Sequence, residues 1–115
     1  MGEFRIKRVY AEPADSDGLR VLVDRLWPRG LSKERAALDH WQKAIAPSDA
    51  LRKQFHAAAL RFEAFAAPYR DELKGNKAVA ELLGLAAGAE VVTLLFGAKD
   101  EEENHAVVLK EFLSN

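Results

Sequence analysis

A chain of 115 residues falls in the size range of one domain and should bury roughly two-thirds of the surface its unfolded form exposes, so a single core spanning 1–115 is expected. Zero cysteines exclude disulfides, thiolate nucleophiles and thiolate metal sites, and suit a reducing, cytoplasmic setting. Lys plus Arg number 17 against 18 Asp plus Glu, a formal net charge of −1, so no global field draws the chain to duplex nucleic acid or to a membrane, and any anion binding has to be local.

The start, MGEFRIKRVY, lacks the apolar run of a signal peptide, and no apolar stretch approaches the roughly 20 residues that span a bilayer, so a soluble, cytoplasmic protein is expected. Phe4 to Tyr10 mixes β-branched and aromatic residues with charges and reads as a strand, closed by the turn formers Pro13, Asp15, Asp17 and Gly18. Leu19 to Leu26, with Val21-Leu22-Val23 at its centre, reads as a second strand buried on both faces. It ends against Trp27-Pro28-Arg29-Gly30, where proline cannot donate to a ladder and glycine permits positive φ. Only about eight residues join these two strands, a spacing that favours a hairpin over a parallel crossover.

Ser32 is placed to cap a short helix, and Asp39 with Gln42 makes a capping-box signature for a second, with Leu38, Trp41 and Ile45 on one face. After Pro47-Ser48, the residues Leu51, Phe55, Ala58, Phe62, Phe65, Tyr69 and Leu73 recur at helical spacing, with a break expected near His56. Gly75-Asn76 ends that stretch, and Val79, Leu82, Leu83 and Ala86 predict a further helix that stops at Gly88. Val91 to Phe96 is an apolar strand, Gly97 to Asp100 a loop, and Glu101 to Leu113 a final helix opened by an Asp100/Glu103 capping box. Three strands separated by helical segments predict a small α/β sandwich with a short, mostly parallel sheet flanked by helices.

In open α/β sheets, ligands gather at the carboxyl ends of the strands, and two polar segments fall there. The first, Asp24-Arg25-Leu26-Trp27-Pro28-Arg29-Gly30, sets a carboxylate, two guanidiniums and an indole within seven residues, chemistry matched to a small anionic or nucleotide-like ligand. Asp24 would be its acid/base or orienting carboxylate, Arg25 and Arg29 its anion clamps, and Trp27 a stacking platform. The structural alternative pairs Asp24 with Arg25 or Arg29 and makes Trp27 a cap on the core. The second segment offers Lys99 and Asn104 as secondary polar contacts, with His105 beside them. Arg52 would point back toward the same site.

His40, His56 and His105 show no ligand spacing, so no metal is expected, and no serine lies in a G-x-S-x-G elbow. Neither G-x-G-x-x-G nor a Walker sequence occurs, which argues against P-loop hydrolysis and against a Rossmann cofactor, and no cofactor is expected. The aromatic series Phe55, Phe62, Phe65 and Tyr69 reads as packing. Binding of a small anion at the loops after the second and third strands stands against a non-enzymatic regulatory or protein-interaction module. Catalysis and oligomeric state are left open by the residues alone.

The run Arg20-Val21-Leu22-Val23-Asp24-Arg25-Leu26-Trp27-Pro28-Arg29-Gly30, with Ser32-Lys33, Trp41, Ala46-Pro47-Ser48, Leu51-Arg52, Phe55-His56, Phe65, Tyr69, Thr93-Leu94-Leu95, Ala98-Lys99-Asp100 and Asn104-His105-Ala106, resembles the YeaO-like branch of the domain-of-unknown-function-488 family across almost the whole chain. The resemblance implies a compact α/β domain in which Asp24 ends a buried strand, and it implies parallel pairing of the first two strands. Wider members resemble nucleic-acid-associated enzymes acting on glycosidic bonds. Two departures weaken such a role here: His56 is followed by Ala57-Ala58-Ala59 where relatives resemble H-D-P, and Phe96 stands where a tyrosine is common.

Overall fold

A computed structural model describes residues 3–56 and 61–114. Ala57 to Ala59, the side chain of His56 and the Ala58 position of the helical series lie outside the described residues. Four strands, β1 (Glu3–Arg8), β2 (Leu19–Leu22), β3 (His40–Trp41) and β4 (Val91–Phe96), form one sheet in the order β1-β4-β2-β3. Every pairing is parallel, with Ile6 opposite Leu94 and Val21 also opposite Leu94. The helices are α1 (Lys33–Ala36), α2 (Asp49–His56), α3 (Phe62–Lys74), α4 (Lys77–Ala86) and α5 (His105–Ser114). The small α/β fold anticipated from sequence is therefore present. Among the described residues no helix is long and apolar enough to cross a membrane.

Two sequence expectations about the sheet are corrected. The first two strands run parallel but do not pair, because β4 lies between them and bonds to both. This answers the spacing problem. The connection has only to return along the sheet and step across one strand, and ten extended residues, 9–18, reach roughly 33 Å. It is pinned on the way by Thr93 Oγ1 donating to the Asp17 carbonyl (2.6 Å), and Gly18 takes a positive φ of 64° directly over Val91. The second correction is at 40–41, where the Asp39/Gln42 pattern predicted a helix. The chain adds a two-residue edge strand instead, since the Asp39 N–H donates to the Arg20 carbonyl (2.9 Å) and the Gln42 N–H to the Leu22 carbonyl (2.9 Å). The Asp39 carboxylate accepts from the Arg20 N–H (2.8 Å), so it caps a sheet edge rather than a helix.

Strand alternation divides the core. Val92, Leu94 and Phe96 of β4, with Val21 and Val23, meet α2 to α5 through Phe65, Tyr69, Leu82 and Leu109 on one face. On the other face Leu22 and Leu95 pack with Val9, Leu31 and Ala36, and with Trp27 and Trp41. This period of two on a central strand buried on both sides is what a parallel sheet covered on two faces requires. Each fully buried Leu or Phe contributes about 1.5–3 kcal/mol to holding the layers together.

Helix ends follow local chemistry. Ser32 accepts from the Arg35 N–H (3.1 Å) and Asn76 from the Ala78 N–H (2.9 Å). Asp100 accepts from the Glu102 and Glu103 N–H groups (both 2.9 Å), but this closes a turn only. The final helix begins at His105, not at Glu101 as the capping-box pattern predicted, because buried Asn104 caps it through the Val107 N–H (3.1 Å).

Candidate functional site

At the carboxyl edge of β2 and β4 a cavity of about 260 Å³ opens between the loop after β2, the start of α2, α3 and the start of α5. Asp24, Arg25, Trp27, Arg29 and Asn104 all line it, as do Arg52 and His105. Lys99 is exposed and lies outside the lining. Sequence periodicity assigned Phe55 and Phe65 to packing alone; both also wall this cavity, their rings stacked at 4.4 Å. Tyr10, Ala46 and Pro47 line it too, though the sequence pattern placed none of them at the site.

The loop after β2 is fastened residue by residue. Val23 still bonds the sheet through the Leu95 carbonyl (3.0 Å), and the Trp41 indole N–H donates to the Asp24 carbonyl (2.7 Å). The Trp27 indole N–H donates to the Leu31 carbonyl (2.7 Å), and its ring meets Trp41 edge-on at 5.2 Å, so much of Trp27 is committed to the second core layer. The Tyr10 hydroxyl donates to the Arg29 carbonyl (2.8 Å), tying the loop to the chain beyond β1. The Arg25 guanidinium reaches the Ala46 carbonyl (3.2 Å) and the Pro47 carbonyl (3.3 Å), with Asp49 at 3.8 Å. The Arg29 side chain, by contrast, is exposed and makes no hydrogen bond or ion pair among the described residues.

Asp24 sits where the two central strands end. Its Oδ2 accepts from the Gly97 N–H (2.8 Å), so close that a Cβ at Gly97 would stand 3.0 Å from it. His105 Nε2 lies 3.0 Å from both Asp24 Oδ1 and the Val23 carbonyl. Both neighbours are acceptors, so Nε2 carries the ring proton; it is aligned with the Val23 carbonyl, which leaves Oδ1 in electrostatic contact without an aligned hydrogen bond. The ion pair between Asp24 and an arginine that sequence reasoning weighed does not form.

Behind the cavity, Ser48 caps α2 and is clasped by Glu72 of α3 through its N–H (2.9 Å) and hydroxyl (2.6 Å). Buried Tyr69 donates to the Ile45 carbonyl (2.8 Å). Burial, reinforced by the Glu72 and Asp24 carboxylates and opposed by Arg25, pushes its hydroxyl far up, so Tyr69 is a permanent neutral donor. Arg52 reaches Asp49 at 3.5 Å, and its Nε is buried without a hydrogen-bond partner among the described residues. Asn104 uses its amide NH₂ on the Asp100 carbonyl (2.8 Å) and its oxygen on the helix cap, which makes it a wall of the site rather than a free polar contact.

Among the described residues, the ionised groups in the lining are three arginines and one aspartate, 3 − 1 = +2, in a chain whose formal charge is −1. The amino end of α5 points the positive pole of its dipole toward the same space. Among the described residues no three His, Cys, Asp or Glu side chains gather to hold a metal ion.

The uncharacterized protein YeaO of Escherichia coli K12 is 45% identical over 107 residues, 93% of each chain. The uncharacterized proteins Mb3100c of Mycobacterium bovis and Rv3073c of Mycobacterium tuberculosis H37Rv are each 41% identical over 110 residues, covering 96% of this chain and 92% of theirs. No solved structure matches. Residues 3–115 match the family model described as the inactive DUF488-N3 subclade, so the chain belongs to that subclade, a YeaO-like member of the domain-of-unknown-function-488 family.

Proposed function

We propose that the chain binds a small anionic, nucleotide-sized or smaller ligand at the carboxyl edge of its sheet, without turning it over. One observation carries this: a +2 excess of ionised groups lines a concave site in a protein of net charge −1. A volume of about 260 Å³ lies below the roughly 300 Å³ at which drug-sized pockets begin, and so suits one ring with its substituents. Arg29 and Arg52 are the anion contacts, Phe55 and Phe65 the apolar wall, and Trp27 a further part of the lining. Asp24 is an orienting carboxylate, since one oxygen is bonded to Gly97 and the other faces His105. Arg25 holds the loop rather than the ligand, Asn104 is part of the wall, and Lys99 lies outside it. The description of the subclade as inactive supports binding over catalysis. With no cysteine to staple an exported fold, a cytoplasmic metabolite is the expected partner.

The test is a thermal-shift and calorimetric screen of nucleoside monophosphates, sugar phosphates, small carboxylates and inorganic phosphate on wild type, Arg29→Ala and Arg52→Gln. A ligand at a hundred times its Kd stabilises by about 2.7 kcal/mol, roughly 10 °C for a domain of this size. Wild type should respond and both folded variants should not. An identical response in the variants, or none in wild type, removes this function.

A further inference from the structure

Resting on the reading that this cavity takes a small anion, we infer that the ligand has two chemically different ends: an acidic group held by Arg29 and Arg52, and an N–H or O–H donor held by Asp24. A carboxylate in the wall of an anion site repels what the arginines attract, and no arginine pairs with it. Arg25 is turned to the Ala46 and Pro47 carbonyls, and Arg29 makes no contact with Asp24. His105 aligns its proton with the Val23 carbonyl rather than with Oδ1. An ionised carboxylate accepts about four hydrogen bonds, whereas Asp24 receives one aligned donor, from Gly97. Oδ1 is buried against His105, so a ligand donor meets this carboxylate at Oδ2, which the single Gly97 bond leaves with acceptor capacity; the side chain is 19% exposed and lines the cavity.

Such a carboxylate accepts and never donates, so it excludes an anion that presents only oxygen acceptors and selects one whose far end donates. The body between the two ends meets the stacked rings of Phe55 and Phe65, which favours a flat, apolar spacer. The ligand class is therefore a small planar acid, carboxylate or phosphate monoester, bearing an amino or hydroxyl group opposite its acidic end.

Calorimetry on the full chain separates the two ends with matched probes: benzoate against 4-aminobenzoate, phenyl phosphate against 4-aminophenyl phosphate, with aniline and inorganic phosphate as single-ended controls. The amino member of at least one pair should bind about tenfold more tightly than its parent, the ratio expected of one charge-assisted hydrogen bond, and aniline should not bind measurably. Asp24→Asn, which puts a donor where the acceptor was, should bring that ratio close to one; if this variant does not fold, the wild-type ratios decide alone. Binding of any of these anions without preference within either pair keeps the anion site and overturns the donor end. No binding of any anion overturns both.

Discussion

Asp17→Asn tests how the short connection between β1 and β2 is held. The Asp17 carboxylate is buried beside β1 and β2, where it receives Lys7 Nζ (3.0 Å to each oxygen), the Ala14 N–H (3.0 Å) and a short contact from Arg20 Nη1. Arg20 is itself buried and gives its remaining donors to the Ala36 and Ala37 carbonyls. Removing the negative charge leaves a buried guanidinium without its counter-ion, a change that costs about 3–5 kcal/mol in comparable sites. The two backbone acceptors and the partial exposure of Lys7 put this case at the lower end, about 3 kcal/mol. For a domain of this size that is a fall in Tm of roughly 10–15 °C. Burial alone would raise the Asp17 pKa, but the Ala14 N–H, Lys7 and Arg20 outweigh it and hold the carboxyl below its ordinary value. A group whose folded pKa is depressed contributes stability that is complete above its unfolded pKa, about 3.9, and is lost as pH falls through the folded value. The gap between wild type and Asp17→Asn should therefore be full at pH 7 and shrink below about pH 4. Circular-dichroism melts from pH 7 to pH 2.5 measure it. Equal Tm values at pH 7, or a gap that does not shrink on acidification, would refute the electrostatic account.

Four further substitutions separate architecture from binding. Gly18→Ala forces a side chain into a backbone conformation of φ 64° with its Cβ 2.3 Å from the Val91 carbonyl oxygen, and urea titration should show a loss of about 3 kcal/mol. Asn104→Ala removes the buried cap of α5 together with its bond to the Asp100 carbonyl, for a loss of about 1–2 kcal/mol by the same assay. Arg25→Ala frees the Ala46 and Pro47 carbonyls and should cost about 1–2 kcal/mol, whereas Arg29→Ala should change stability by less than about 0.5 kcal/mol; reversed values in paired melts would exchange the roles given to the two arginines.

The sheet was legible where burial wrote a pattern into the chain. β4 is an apolar run broken only by Thr93 because it has a neighbour on each side and cover on each face, and Val21-Leu22-Val23 at the end of β2 follow in succession for the same reason. The strand order was not legible. Nothing in β1 or β2 states that a strand about seventy residues later enters between them, and the short connection looked like a hairpin because spacing measures length along the chain and not which strands it passes. β3 was illegible for a different cause: it is two residues long, half-exposed, and held by backbone groups that every residue possesses. Its only side-chain mark, Asp39, has the same chemistry at a sheet edge as at a helix cap.

At the site, the same limit separates residues of identical type. Arg25 and Arg29 stand four apart in one loop, and no property of either side chain distinguishes them. What decides is the position of Ala46 and Pro47, twenty-one and twenty-two residues beyond Arg25, whose carbonyls lie within reach of one guanidinium and not of the other. Phe55 and Phe65 passed as core for the converse reason. A helix that ends at the rim of a cavity carries its apolar stripe into the wall, so helical periodicity records that a face is covered but not whether protein or ligand covers it. Asp24 was found because a carboxylate closing an apolar strand is conspicuous in one dimension. Which of its oxygens faces the cavity was not, since that depends on His105, eighty-one residues away, covering Oδ1. Residue type places the chemistry of this site near the carboxyl edge of the sheet, and the direction of a few hydrogen bonds then determines which of those groups is left for a ligand.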